Sequence, residues 1–350
     1  TFLLIGFVFG STSIMNPVKN ALQDAWLAYL VGWFGGFLLI TLYVLIAQLN
    51  PNKTLIQISR EHFGKLVGNI VAFLYIWYFI HLAALVLRNF GEFFVTTSYH
   101  QTPLGFVMGA IMLLAAYAAR VGIEVIARAS ELVVIILIFF VILLSVLLLG
   151  NYQIDYFYPI LEHGWKPIFQ SGFSLITFPF GETVVFLMLF PYLNQKQELL
   201  KASITAIAIV GSLIFLTVIR ELMVLGPTML SRVYFPAQLS ATMIPGLIIE
   251  PLISVNLLIG GGIKITLCCY GALIALTEFF HLKDYKPFTL PVSLIITTLS
   301  VWLYENLLEM MDWAQNVYPY YAIPFQILIP ILLLFISWYK RQKRKKASNP

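Results

Sequence analysis

Gly10-Ser11-Thr12-Ser13, inside the apolar run from Phe2 to Met15, and Phe178-Pro179-Phe180-Gly181, inside the run from Ile168 to Phe190, interrupt two stretches that otherwise read as membrane helices. Lipid offers no partner to an unpaired backbone amide. Such interruptions therefore survive only where they line a cavity inside the protein. Two of them at matching places in the two halves of a chain point to a binding site near the bilayer midplane.

The rest of the chain agrees with a membrane location. Of 350 residues, 60% are hydrophobic and 11% charged, against roughly a quarter charged in soluble domains. About 20 apolar residues make a spanning helix. Ten candidate spans centre near Val8, Leu38, His81, Leu113, Phe140, Phe178, Ile214, Gly262, Ile295 and Leu332. Thr54 to Lys65 reads as a short surface helix. The proline-rich segment from Gly226 to Pro245 reads as a short helical cap. Cys268 and Cys269, adjacent in an apolar run, read as small packing residues.

Basic residues set the orientation. Of the 21, fifteen follow even-numbered spans or form the tail: Lys53, Arg60, Lys65, Arg120, Arg128, Lys196, Lys201, Lys283, Lys286, Lys340, Arg341, Lys343, Arg344, Lys345 and Lys346. The opposite loops hold Lys19, Lys166 and Arg232, with the acidic Asp24, Asp155, Glu162, Glu305, Glu309 and Asp312. Both termini are thus expected in the cytoplasm, with the basic tail 341–350 against anionic headgroups. No nucleic-acid partner is expected.

Ten spans divide into five and five, and an odd number per half inverts one half relative to the other. The expected fold is all-α and integral to the membrane, a five-plus-five inverted repeat of the LeuT/APC type with discontinuous helices one and six. The repeats are expected over residues 1–150 and 165–340.

At the breaks, Ser11, Thr12 and Ser13 would offer amides and hydroxyls to a carboxylate. Gly181 would allow close backbone approach, Pro179 would enforce the kink, and Phe178 and Phe180 would form an apolar lid. In span eight, Gly260-Gly261-Gly262 precedes Lys264, and a lysine that deep in lipid is a functional candidate. Its ammonium could replace a bound cation between spans one and eight, carry a proton, or pair with Glu182. Glu182 follows the second break without a helical partner and reads as a coupling or gating carboxylate. Thr266 and Tyr270 share a helix face that could reach the ligand, and Tyr78, Leu82 and Ala83 could form a third wall. Arg88 with Glu92, Arg120 with Glu124 and Arg128 with Glu131 have self-pairing helical spacing. The five histidines lack ligand spacing, so no metal is expected. No hydrolase, phosphate-loop or cofactor motif is present, so the chain does not read as an enzyme.

Gly10-Ser11-Thr12-Ser13-Ile14 with Pro17 resembles the G-S-G-I…P signature of amino acid permeases, Thr12 standing for the second glycine. Several stretches resemble more closely the spore germination permeases, the B subunits of nutrient germinant receptors. They are Gly32-Trp33-Phe34-Gly35-Gly36, Leu87-Arg88-Asn89-Phe90-Gly91-Glu92-Phe93, Ala116 to Arg128, Phe178 to Glu182, Gly261 to Ile265, Lys283 to Pro287 and Tyr318 to Phe325. The resemblance implies a sensor of small, often amino-acid, germinants in the spore inner membrane, with A and C subunits as partners. It carries ligand-site roles onto Gly10, Thr266 and Tyr270, with the break at Phe178 and Pro179.

Overall fold

The computed structural model describes residues 1–12, 15–193, 196–247 and 249–348. All regular structure among them is helical. The principal helices are α1 (Phe2–Thr12), α2 (Ala25–Leu49), α3 (Leu55–Thr97), α4 (Leu104–Val121), α5 (Ile123–Leu147), α6 (Trp165–Leu175) and α7 (Leu199–Arg232). Then follow α8 (Pro236–Thr242), α9 (Glu250–Phe279), α10 (Thr289–Trp302), α11 (Leu307–Asn316), α12 (Tyr318–Ile323) and α13 (Ile329–Ser348).

Eight helical segments among the described residues are long and apolar enough to cross a membrane, or nine if the bent pair α10–α11 counts as one span. The expected count of ten is not confirmed by these segments. The first candidate, α1, has 11 residues. The ninth turns by 100° between Trp302 and Leu307. That turn sits where the Arg88 guanidinium donates to the last carbonyls of α10, Ser300 O at 3.1 Å and Val301 O at 3.0 Å, satisfying acceptors that a continuing helix would have bonded. Beyond it, the Asn306 side chain accepts from Glu309 N at 3.0 Å and starts α11 afresh.

Other punctuation is local too. Thr54 and Gln57 form a reciprocal capping box that starts α3. Gly64, at φ 80°, separates its first short turns, the expected surface helix, from the long buried part. Gly226, at φ 71°, does the same near the end of α7, and α8 supplies the short cap expected between Gly226 and Pro245.

Helices approach closely where side chains are missing. On α2, Gly32, Gly35 and Gly36 receive Leu175, Ile176 and Phe180, and a Cβ at any of the three would collide with them. A Cβ on Gly10 would fall on the carbonyl oxygen of Gly260, and one on Gly261 would fall on the Phe90 ring. These contacts seat α1 and α3 against α9.

Two of the three expected charge pairs differ from their spacing. Arg88 does pair with Glu92, at 2.8 Å. Arg128 reaches back to Glu124 at 2.7 Å rather than forward to Glu131. Arg120 does not pair with Glu124, because Gly122 at φ 117° ends α4 between them and helical spacing no longer applies.

The two ends of the bundle are built differently. At the basic end, Glu278 accepts from Thr54 and from Gln57 at 3.2 Å, and Arg60 caps Glu278 O and Phe279 O at 2.9 and 3.0 Å. Asn50 donates to Ser337 Oγ at 2.8 Å and Lys340 to Glu61 O at 2.9 Å. These bonds tie the helix ends together there. At the opposite end, Asp24 accepts from Leu161 N at 3.0 Å and Gln23 donates to Glu162 at 2.8 Å. They tie the 19–24 turn to the 153–164 connection and leave a cavity beside it.

Candidate functional site

The second break is a π-helical turn, Ile176–Phe180, in which Phe178 leaves the helical region at φ −133°, ψ 111°. Pro179 has no amide proton to give, so the turn cannot close as an α-helix. The freed carbonyls are taken by neighbours. Gln326 Nε2 donates to Thr177 O at 3.0 Å, and the Tyr43 hydroxyl lies 3.1 Å from Gly181 O and 2.8 Å from Gln326 O. Gln326 itself lies in a second π-helical turn, Pro324–Leu328, which the sequence reading missed although Pro324 signals it. Gln326→Leu is expected to leave Thr177 O without that donor and to lower stability by about 1–3 kcal/mol, read as an earlier melting transition of the purified protein in detergent.

The helix that leads into the first break ends at Thr12, within the expected stretch. Helix α1 continues through Gly10, Ser11 and Thr12. At the last turn of a helix the amides are already bonded and the carbonyls are left over, so Ser11 and Thr12 do not present free amides as expected. Ser13 lies outside the described residues. Helix α1 does pack against the segment beyond the second break: the Phe7 ring meets Phe186 edge-on, with ring centroids 5.4 Å apart.

Between the breaks lies a buried charge pair. The glycine stripe of α9 places Lys264 with no exposed surface, and its ammonium bonds the Glu182 carboxylate. The same ammonium stands 5.1 Å above the Phe7 ring and 5.0 Å above the Phe178 ring. Glu182 also accepts from the Tyr318 hydroxyl at 2.7 Å. Gln326 Nε2 donates to the hydroxyls of Tyr78, at 2.8 Å, and Tyr318, at 3.3 Å. Of the alternatives open for Lys264, the pairing with Glu182 is thus realised. It links α9 to the broken sixth helix and, through Tyr78, to α3.

Above this pair opens a cavity. Glu182, Phe178 and Tyr318 form its floor. Met15, Asn16 and Lys19 line it from the stretch after the first break, Leu85, Val86 and Asn89 from α3, and Met310, Met311, Trp313 and Gln315 from α11. Tyr234 and Tyr304 complete an aromatic rim.

The sequence-derived candidates divide sharply against this geometry. Phe178 and Glu182 line the cavity. Gly10, Tyr78, Ala83, Pro179, Phe180, Gly181, Thr266 and Tyr270 do not. Phe180 is not part of a lid, because its ring fills the notch at Gly36. The space at Gly181 is filled by the Gln326 side chain and that at Gly10 by Gly260. Ala83 is fully buried on α3, below the stretch that faces the cavity. Thr266 is buried, and the Tyr270 ring meets Tyr285 edge-on at 5.4 Å, in the loop before α10. Asn16, Lys19, Asn89 and Trp313 were missed. Only Lys19 carried a signal, as one of three basic residues in the acidic loops.

Comparison with known proteins matches residues 1–309 to the family described as "Spore germination protein". The chain is 33% identical to Spore germination protein KB of Bacillus subtilis (strain 168), over 99% of this chain and 95% of that protein. It is 23% identical to Spore germination protein B2 of the same organism, over 98% and 95%. Among solved structures, it is similar to MhsT in complex with L-phenylalanine, with a TM-score of 0.66 and 12% identity, over 96% of this chain and 86% of that one. That neighbour has the LeuT-type transporter fold, which this chain shares.

Proposed function

This chain belongs to the spore germination protein family, and from that premise we propose that it is the membrane subunit of a nutrient germinant receptor. It binds a small amino-acid-like germinant in the cavity above Glu182. The observation that carries the proposal is the placement of that cavity: it opens at the acidic end, its floor is the broken sixth helix, and the buried Lys264–Glu182 pair lies directly beneath. A ligand there touches Phe178, Glu182 and Tyr318 at once. It therefore favours one arrangement of the break over another and shifts the population of the bundle. The L-phenylalanine held by the structurally similar MhsT supports an amino acid as the ligand class.

The excess of Lys and Arg at one end supports a cytoplasmic position for that end and for both termini, with the chain in the spore inner membrane. A and C subunits then receive the conformational change. Residues 1–150 and 165–340 form the two inverted repeats, and the basic tail 341–350 rests on anionic lipid. Thr266 and Tyr270 lie in the packed half of the bundle and would meet ligand only if α9 moved away from α1.

A second reading is favoured by the buried Lys264–Glu182 pair: a proton-coupled amino acid symporter of the same fold, in which that pair exchanges a proton. Purified protein in sealed vesicles separates the two. Saturable binding without accumulation under an imposed proton gradient is the expected result. Gradient-driven accumulation overturns the receptor reading in favour of the symporter.

A further inference from the structure

Two charged residues line the cavity, and they are not equally compensated. Glu182 is paired with Lys264 and accepts from Tyr318. Lys19 is 7% exposed and donates to the Val233 carbonyl at 3.2 Å, with its ammonium 5.2 Å over the Tyr234 ring. Among the described residues no carboxylate forms an ion pair with it. The acids of the segments tied together at this end bond elsewhere: Asp24 with Leu161 N, Glu162 with Gln23 and Glu221 with Asn16. A buried ammonium needs an anion close by to offset the loss of its hydration. Among the described residues that line the cavity, Lys19 is thus the charged one without an ion-pair partner.

We propose that Lys19 is the carboxylate-binding residue of the cavity, so that the site takes small carboxylic acids whose apolar part lies against the thioethers and rings of Met310, Met311 and Trp313. The inference rests on the ligand reading given above and narrows it to the ligand's acid group. The chain positions Lys19 for this work. Asn16 accepts from Val18 N at 3.1 Å and donates to Glu221 at 3.1 Å. The turn that carries Lys19 is thereby anchored to α7 and not left as a mobile loop. An ammonium forms an ion pair with a carboxylate, charged on both sides, but with the matching carboxamide only a hydrogen bond charged on the donor side. Discrimination between acid and amide is therefore the signature to seek.

The test is thermal unfolding of the full chain in detergent, titrated with L-leucine, L-leucinamide, benzoate and benzamide. In the wild type, both acids are expected to raise the melting temperature at concentrations about tenfold below those of their amides. In Lys19→Gln the acid and amide midpoints should converge to within about twofold, and Lys19→Arg should keep the preference for acids. Equal midpoints for acid and amide in the wild type overturn the assignment whether or not the variants fold. So does an undiminished ratio in Lys19→Gln, or no shift with either acid. Lys19-dependent binding of benzoate without any effect of leucine would keep the assignment and end the amino-acid reading. Leucine binding indifferent to Lys19→Gln would do the reverse.

Discussion

Lys264→Met is expected to cost about 3–5 kcal/mol of stability, because it strips the counter-charge from an almost fully buried carboxylate. Glu182 is 1% exposed and would retain the Tyr318 hydroxyl in place of a full charge partner. The variant should melt far below the wild type in detergent and give no germinant response. The informative control is Lys264→Met combined with Glu182→Gln. Removing both charges removes the desolvation cost of both, so the double variant should recover most of the lost stability while remaining unresponsive. If Lys264→Met melts like the wild type, the pair does not hold the break. If the double variant is no more stable than Lys264→Met, the loss comes from packing around Phe7 and Phe178 and not from charge.

Gly10→Trp should leave no folded protein. The close contact between α1 and α9 is the reason. At Gly10 even a Cβ meets the Gly260 carbonyl, which is backbone and cannot turn aside as a side chain can. Overpacking an ordinary core costs about 1–3 kcal/mol, and a large ring forced between two helix backbones exceeds that. Size-exclusion profiles and yield of Gly10→Trp, compared with Gly10→Ala, measure the effect. A monodisperse, wild-type-like Gly10→Trp protein would show that α1 and α9 do not touch here.

What could be read from the sequence was whatever depends on local patterning. The lipid-length apolar runs, the break at Phe178-Pro179-Phe180-Gly181, the surface helix ending at Gly64 and the cap after Gly226 are each written in a few adjacent residues. The fold class followed from two such breaks at matching places. The cavity could not be read in this way, because its walls come from α3, α11 and the stretch after α1, which are remote in sequence. Gly10 and Gly181 illustrate the difference. Glycine marks a close approach, and both positions are indeed approached closely, but by Gly260 and Gln326 and not by an open space. Spacing also misled at Arg120 and Glu124, where four residues would mean one helix face had Gly122 not broken the helix.

The sharp turn after α10 has a mechanical consequence. It lays α11 across the opening, where the Gln315 carboxamide accepts from Asn20 at 3.2 Å, a bond between residues 295 apart in the chain. Asn20 belongs to the turn that leads into α2, and Gln315 to the last quarter of the molecule. On the ligand reading proposed above, a guest entering the cavity passes beside this bond, so its admission bears at once on the beginning and the end of the polypeptide.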